Sequence, residues 1–410
     1  MIKKTLLAFG CLFSLILNDS VVLASENSDY VTVHQVQSKS DTALDLTRFG
    51  QAVGDKPIVV LDELTHGESN VFELKREIIE YLHQHKGFDV LLLESGIYDV
   101  SRIWANDKKP LKAQAPGNVF YMYANNPQVQ QLFDYMDEKR PSKRPLYLAG
   151  FDGRLSGELS QHEVIDGLQT FVTKHYPSVA KDFDWPFFNI QTDYILKRDS
   201  EKLNQLDESE RFAYLNLANL LTDLLGERDV IGTGYQGSRF WAQIIKGNAM
   251  VGQQLWQMRR FDENDLVMAQ NVNWLMNEVF PGKKVMIWGH FVHVNRQGMG
   301  PNRYANLGSE LEKSYPGQVY FAHFAGAKGE FTNFITGKVD KVPTSNSATF
   351  ETSILKSNTS IGFVDKQDIN FNHAKANTQT IWGIDYGYTV PLSEWPKMWD
   401  GMFVLDKVTP

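Results

Sequence analysis

The segment Leu61-Asp62-Glu63-Leu64-Thr65-His66-Gly67-Glu68 places four ionisable side chains within seven residues. An imidazole titrates nearest neutral pH and therefore suits proton abstraction. A carboxylate beside it, such as Glu63, can fix its tautomer and stabilise the imidazolium that forms. The same residues also fit a polar turn whose acids cap the next helix. Glu94 closes the apolar run Val90–Leu93, where a carboxylate is costly unless paired, although it could instead cap a helix. Trp288-Gly289-His290-Phe291-Val292-His293 carries two imidazoles, able to polarise a carbonyl oxygen or to bind a metal. Asp152, in Gly150-Phe151-Asp152-Gly153-Arg154, could orient a histidine or make a structural Asx turn. Other chemistries lack their motifs. There is no Gly-x-Ser-x-Gly elbow, no P-loop and no dinucleotide glycine fingerprint. His162-Glu163 is followed by Asp166 where a zinc-protease motif needs histidine.

Each of these groups follows a segment that reads as a strand. Ile58–Leu61 is apolar and β-branched; Val71, Leu74, Ile78 and Leu82 then recur at helical spacing, and Val90–Leu93 follows Gly87. Strand, helix and strand in about forty residues predict a right-handed βαβ unit with a parallel pair. On that reading Glu94 lies beside Glu63 and His66. Further runs are Leu146–Ala149, Val285–Trp288, Val319–Phe321 and Phe403–Leu405. Runs apolar on both faces suit a parallel sheet covered on each side. The C-terminal edge of such a sheet is where ligands bind. Residues 155–280 have few strand signals and read as helices over Glu163–Lys174, Tyr194–Leu225, 240–259 and Asp265–Val279. Residues 25–45 read as a loose polar stretch and 330–400 as loops with short elements. The expectation is an α/β fold: a mostly parallel central sheet with helices on both faces and a large helical insertion at about 155–280, in one domain spanning 25–410.

The bulk numbers narrow the partners. The 410 residues are 42% hydrophobic and 22% charged, with a formal net charge of −8, so no basic surplus exists to neutralise nucleic acid. Met1-Ile2-Lys3-Lys4, the apolar run Thr5–Leu17 and the small residues before Ser25 have the layout of a secretory leader cleaved after Ala24. The run is too short to span a bilayer, so the expectation is an exported chain, periplasmic or extracellular, without a stable membrane anchor. Cys11 is the single cysteine and falls within the leader. Its loss excludes cysteine nucleophiles, cysteine–zinc sites and iron–sulfur chemistry from the mature chain.

Taken in order, four separated segments resemble the erythromycin esterase-like family: Glu63-Leu64-Thr65-His66-Gly67; Gly87-Phe88 with Glu94; Gly150-Phe151-Asp152; and Trp288-Gly289-His290-Phe291-Val292-His293. Weaker likenesses are Met268–Asn271 with Trp274, and Asp400–Phe403. The resemblance implies hydrolysis of a small-molecule ester or lactone by activated water, with no obligatory metal or other cofactor. Carried over, His66 would be the base, and Glu63 and Glu94 would orient it. His290 would stabilise the oxyanion or position substrate, supported by His293 and Asp152. A basic residue on the helix after the first motif, Lys75 or Arg76, would also face the site. Two positions depart from the family pattern: Asp62 stands where it has glycine, and Phe291 where it has asparagine. The candidate ligands Asp62, Glu63, His66, Glu94, His290 and His293 leave a metal-dependent hydrolase as one alternative. A non-catalytic exported binder, for haem or a surface glycan, is the other.

Overall fold

The computed structural model describes residues 26–28, 30–182, 184–258, 262–298, 305–343, 349–355 and 357–410; the expected leader lies outside them. Among the described residues thirteen strands run β1 (Glu26–Ser28), β2 (Val31–Ser38), β3 (Ile58–Leu61), β4 (Phe88–Gly96), β5 (Tyr147–Asp152), β6 (Lys284–Trp288), β7 (Val319–Gly326), β8 (Glu330–Thr332), β9 (Val339–Lys341), β10 (Thr359–Asp365), β11 (Thr380–Trp382), β12 (Thr389–Pro391) and β13 (Gly401–Leu405). Nine of them form one sheet in the order β1-β2-β10-β13-β7-β3-β6-β4-β5. The six from β13 to β5 pair in parallel. β10 and β2 continue that sheet antiparallel. The fold is thus the mostly parallel α/β arrangement expected from the apolar runs. Ile58, Val59, Val60 and Leu61 are each at most 1% exposed, and burying each such side chain stabilises by about 1.5–3 kcal/mol.

Three expectations fail for identifiable reasons. Val31–Ser38, read as loose, is a strand with Val31, Val33 and Val36 buried and polar residues between them. Its alternation belongs to an antiparallel strand half exposed to water. Thr359–Asp365, read as loop, is likewise antiparallel. The helix expected over Tyr194–Leu225 breaks into Trp185–Leu196, Ser200–Gln205 and Glu208–Asp223. Arg198 turns left-handed at φ 51°. Asp199 then caps the second piece, and an Asp207–Glu210 capping box starts the third. Among the described residues from Glu158 to Val279 the secondary structure is helical, including π-helical turns at Leu224–Arg228 and Leu275–Val279.

Strand order also corrects the expected neighbours of the site. β6 lies between β3 and β4, pairing Leu61 with Trp288 on one side and Leu93 with Trp288 on the other. Glu94 therefore abuts the β6 terminus and does not stand directly beside Glu63. Between β3 and β4 runs the helix Ser69–Lys86, closed by Gly87 in the left-handed region. The β8–β9 hairpin is pinned onto the first motif by a bond from Thr332 N–H to the Gly67 carbonyl of 2.9 Å. A side chain at position 67 would meet the Thr332 carbonyl oxygen at 1.8 Å, so close backbone approach dictates glycine there.

Candidate active site

Glu63 is the hub. It emerges at the end of β3, fully buried, and both oxygens are saturated. Oε1 accepts from His66 Nδ1 at 2.6 Å and Tyr123 OH at 2.7 Å. Oε2 accepts from Lys75 Nζ at 2.7 Å and Trp288 Nε1 at 2.6 Å. Burial works against the charge, but Lys75, then His66, outweigh it and hold the carboxyl well below the usual carboxylate range. An ionised carboxylate can only accept, so Nδ1 of His66 carries its proton and Nε2 of the neutral ring presents a lone pair. Lys75 recovers part of its lost hydration from Glu63 and from the Trp288 ring, 4.6 Å away.

Adjacent helix residues point about 100° apart, which separates the two basic candidates. Lys75 faces inward. Arg76 pairs with Glu77 and Glu80 on the outer surface, each at 2.9 Å, and has no place in the site.

Across β6, Glu94 Oε2 accepts from the backbone N–H of His290 at 2.6 Å. The His290 side chain donates from Nε2 to the Leu64 carbonyl at 3.1 Å, and its ring lies 4.4 Å from that of His66. Burial, reinforced by His66, pushes its pKa down to about 3, so it is neutral, and Nδ1 is left as an acceptor. His293 differs. Nδ1 bonds Asp265 at 2.8 Å, and Nε2 stands 3.6 Å from Glu94 Oε1. Burial disfavours the charge, but Glu94 and Asp265 outweigh it and raise the pKa to about 9. Arg154 Nη2 also lies 3.6 Å from Glu94 Oε1, held by Asp152 at 2.6 Å. Both gaps are too long for direct hydrogen bonds. Two cations, His293 and Arg154, thus face one carboxylate.

Aromatic rings enclose His66. Phe120 and Phe334 each meet it edge-on at 4.8 Å. Phe334 rides the tip of the β8–β9 hairpin, where its carbonyl accepts from Tyr121 OH. His66 is 5% and His290 6% exposed, so the site lies under this cover. The two departures from the family pattern form one cluster behind it. Asp62 accepts from His323 Nδ1 and Trp399 Nε1, both at 2.7 Å, and from Phe324 N–H at 3.1 Å. Phe291 stacks on Trp399 at 5.3 Å.

The sequence thus located Glu63, His66, Glu94, Asp152, His290 and His293 at one sheet edge. It missed Tyr123, Asp265, Phe120 and Phe334, which arrive from helices and a hairpin without a motif. Trp288 and Arg154 stood inside quoted motifs without a role. Among the six candidate metal ligands, Asp62 is committed to His323 and Trp399. Glu63 is filled by four donors, one of them an ammonium that would repel a cation. Among the described residues no group of three or more His, Cys, Asp or Glu is arranged to hold a metal ion.

These shifts make stability depend on pH. Glu68 is buried, and that burial raises its carboxyl to about 8, opposed by its bond from Tyr386 OH and reinforced by the charge of Glu63. Folded Glu68 therefore keeps its proton from about pH 4.3, the unfolded value, up to about 8. Folded His293 keeps its proton from about 6.5 up to about 9. In both windows the native state binds more protons, so stability falls as pH rises. Glu63, held low, contributes stability that is present above about pH 4.3 and is lost as pH falls. His290, held down to about 3, binds more protons when unfolded between about pH 3 and 6.5 and so offsets Glu68 there. Urea unfolding should accordingly show maximal stability near pH 5–6, with a decline toward pH 9 to which His293 contributes at most about 3 kcal/mol. His293→Gln should flatten the part above pH 7. Stability that rises between pH 6 and 9 would contradict these assignments.

Comparison with known proteins agrees with this architecture. The erythromycin esterase family model matches residues 83–408, a span that begins after the Glu63–Gly67 motif. A Bacillus subtilis (strain 168) protein named as a hydrolase, YbfO, is 24% identical, over 89% of this chain and 87% of its own. The crystal structure of a succinoglycan biosynthesis protein superposes with a TM-score of 0.68 at 16% identity, covering 92% of this chain and 95% of that one. A Bacillus cereus protein gives 0.66 at 20% identity, covering 89% and 92%. A mutant of the erythromycin esterase EreC in its open conformation gives 0.67 at 15% identity, covering 89% and 95%. These structures share the fold, and the family match spans most of the sequence: the chain belongs to the erythromycin esterase family.

Proposed function

We propose that the protein hydrolyses a carboxylic ester or lactone of a small molecule by direct attack of water, with His66 as general base. One observation carries the reading: the four donors around Glu63 leave Nε2 of His66 as the acceptor. His66 takes a proton from water as oxygen attacks the carbonyl, and Glu63 stabilises the resulting imidazolium. The negative charge that develops on the carbonyl oxygen needs a donor. His290 is poorly suited, because its one ring N–H already serves Leu64. The His293 imidazolium, with Arg154 beside it, supplies that donor. His290 instead offers Nδ1 as an acceptor, suited to orienting the attacking water or a substrate hydroxyl. Collapse of the tetrahedral intermediate expels the alkoxide, which regains a proton from the imidazolium of His66. The leader-like segment Met1–Ala24 supports action outside the cytoplasm.

The test is a hydrolysis screen over macrolides, simple lactones and aryl esters, with and without a chelator. Turnover of at least one ester class that survives the chelator is the expected result. Turnover abolished by the chelator and restored by zinc or manganese would replace this mechanism with a metal-dependent one. Folded protein that hydrolyses none of the panel, yet retains a co-purified ligand unchanged, would favour a binding role.

A further inference from the structure

The turn Gly383–Gly387 carries a feature that the mechanism leaves unused. Asp385 (φ 49°, ψ 27°) and Tyr386 (φ 54°) are consecutive non-glycine residues in the left-handed region. Glycines stand at 383 and 387, yet the left-handed positions are taken by side-chain-bearing residues. Such strain persists only where surrounding structure enforces it, and it clusters at functional sites. The enforcing contacts are visible. Tyr386 OH donates to the Glu68 carboxyl group and accepts from Gly326 N–H at 2.9 Å. Asp385 N–H donates to the Leu64 carbonyl at 3.2 Å, the same oxygen that receives His290 Nε2. The turn is therefore bolted to the first motif on both sides of His66, at Leu64 and at Glu68.

Tyr386 is explained by its hydroxyl. Asp385 is not explained by packing: its half-buried carboxylate makes no hydrogen bond or ion pair among the described residues. We propose that Asp385 is a positioning residue of this site, an anion delivered beside His66 from outside the Glu63 network to stabilise the imidazolium formed when water is deprotonated. This rests on the reading of His66 as the base. Burial raises the Asp385 carboxyl, His66 opposes that rise, and Asp340 on β9 adds to it. The other groups facing His66 are Glu63 and Tyr123 at Nδ1, His290 alongside and Lys75 behind Glu63. Glu63 is the acid among these contacts and is already offset by Lys75; Asp385 would add a second.

The experiment compares Asp385→Asn, which retains a residue tolerated in the left-handed region, with Asp385→Gly, which removes the strain. Both are expected to lower kcat on the best ester by about tenfold with KM within about twofold. The acid limb of the kcat/KM profile should move to lower pH, because an anion favouring the imidazolium is gone. Asp385→Gly should melt no lower than the parent, separating lost function from lost fold. An Asp385→Asn variant with parental kcat and an unshifted acid limb overturns the proposal. NMR titration of the His66 ring gives a reading that needs no substrate. A titration displaced to lower pH in Asp385→Asn supports the contact even if every ester fails, an outcome that sinks the hydrolase reading alone. An identical titration overturns the contact whatever the enzyme turns over.

Discussion

Alanine at position 66 is expected to lower kcat/KM for the best ester by about 10³-fold, because general-base catalysis is worth about 10²–10⁴-fold and nothing else nearby can replace it. His290, whose ring centre is 4.4 Å from that of His66, is the nearest substitute. Its one N–H is committed to Leu64, and burial keeps it so weakly basic, near pKa 3, that it is a poor proton acceptor at neutral pH. The fold should survive. Glu63 Oε1 keeps Tyr123 as a donor after His66 is gone, and losing one hydrogen bond to a charged group costs about 1.5–3 kcal/mol. The ring leaves a space bounded by Phe120 and Phe334, so added imidazole should restore a measurable part of the rate. Steady-state kinetics and a thermal melt of the same preparation check both halves. An alanine variant that keeps more than a tenth of the parental rate would place the base elsewhere.

How much of this could be read from the chain alone depended on burial. The strands β3, β4, β5, β6 and β7 were legible because both of their faces are covered, so their sequences are nearly continuous apolar runs. β2 and β10 pair antiparallel: β2 alternates polar with apolar residues, and β10 has only Ile361, Phe363 and Val364 as apolar residues among Thr, Ser, Gly and Asp, so each resembles loop. The site followed the same rule. Glu63, His66, Glu94, Asp152 and His290 sit at or just after strand ends, so finding the strands found them. Strand order was not legible. A βαβ unit fixes handedness and direction but leaves room for a further strand between its own two, and β6 occupies that room. Lys75 and Arg76 could not be separated without knowing which helix face meets the sheet. Asp265, Phe334 and Asp385 reach the site from a helix, a hairpin tip and a strained turn, none of which marks its function in composition. The departures at Asp62 and Phe291 looked like two weakenings of the family pattern. In three dimensions they share the partners His323 and Trp399, a relation invisible until residues 261 positions apart are brought together.

Glu63→Gln tests whether the charge, rather than the shape, of the hub matters, and it should damage rate and stability by separable routes. Glutamine is nearly isosteric, but it offers one acceptor oxygen and an amide that can only donate. If the amide faces His66 and Tyr123, donor meets donor, and His66 is driven to carry its proton on Nε2, the atom that must accept from water. In either orientation the buried Lys75 ammonium loses its counter-ion, and if the amide faces Lys75 and Trp288 donor meets donor there instead. The first arrangement predicts a rate loss of about 10²–10⁴-fold from the wrong tautomer. The lost charge predicts, in both arrangements, about 3–5 kcal/mol of destabilisation, the cost of stranding one member of a buried pair. Adding Lys75→Met removes the stranded charge, so the double variant should recover much of the stability. It should recover little of the rate, because the ring still lacks an anion at Nδ1. Urea midpoints and kcat for the two single variants and the double variant complete the cycle. Recovery of rate together with stability would mean that Glu63 serves only to bury Lys75, and that His66 finds its tautomer without it.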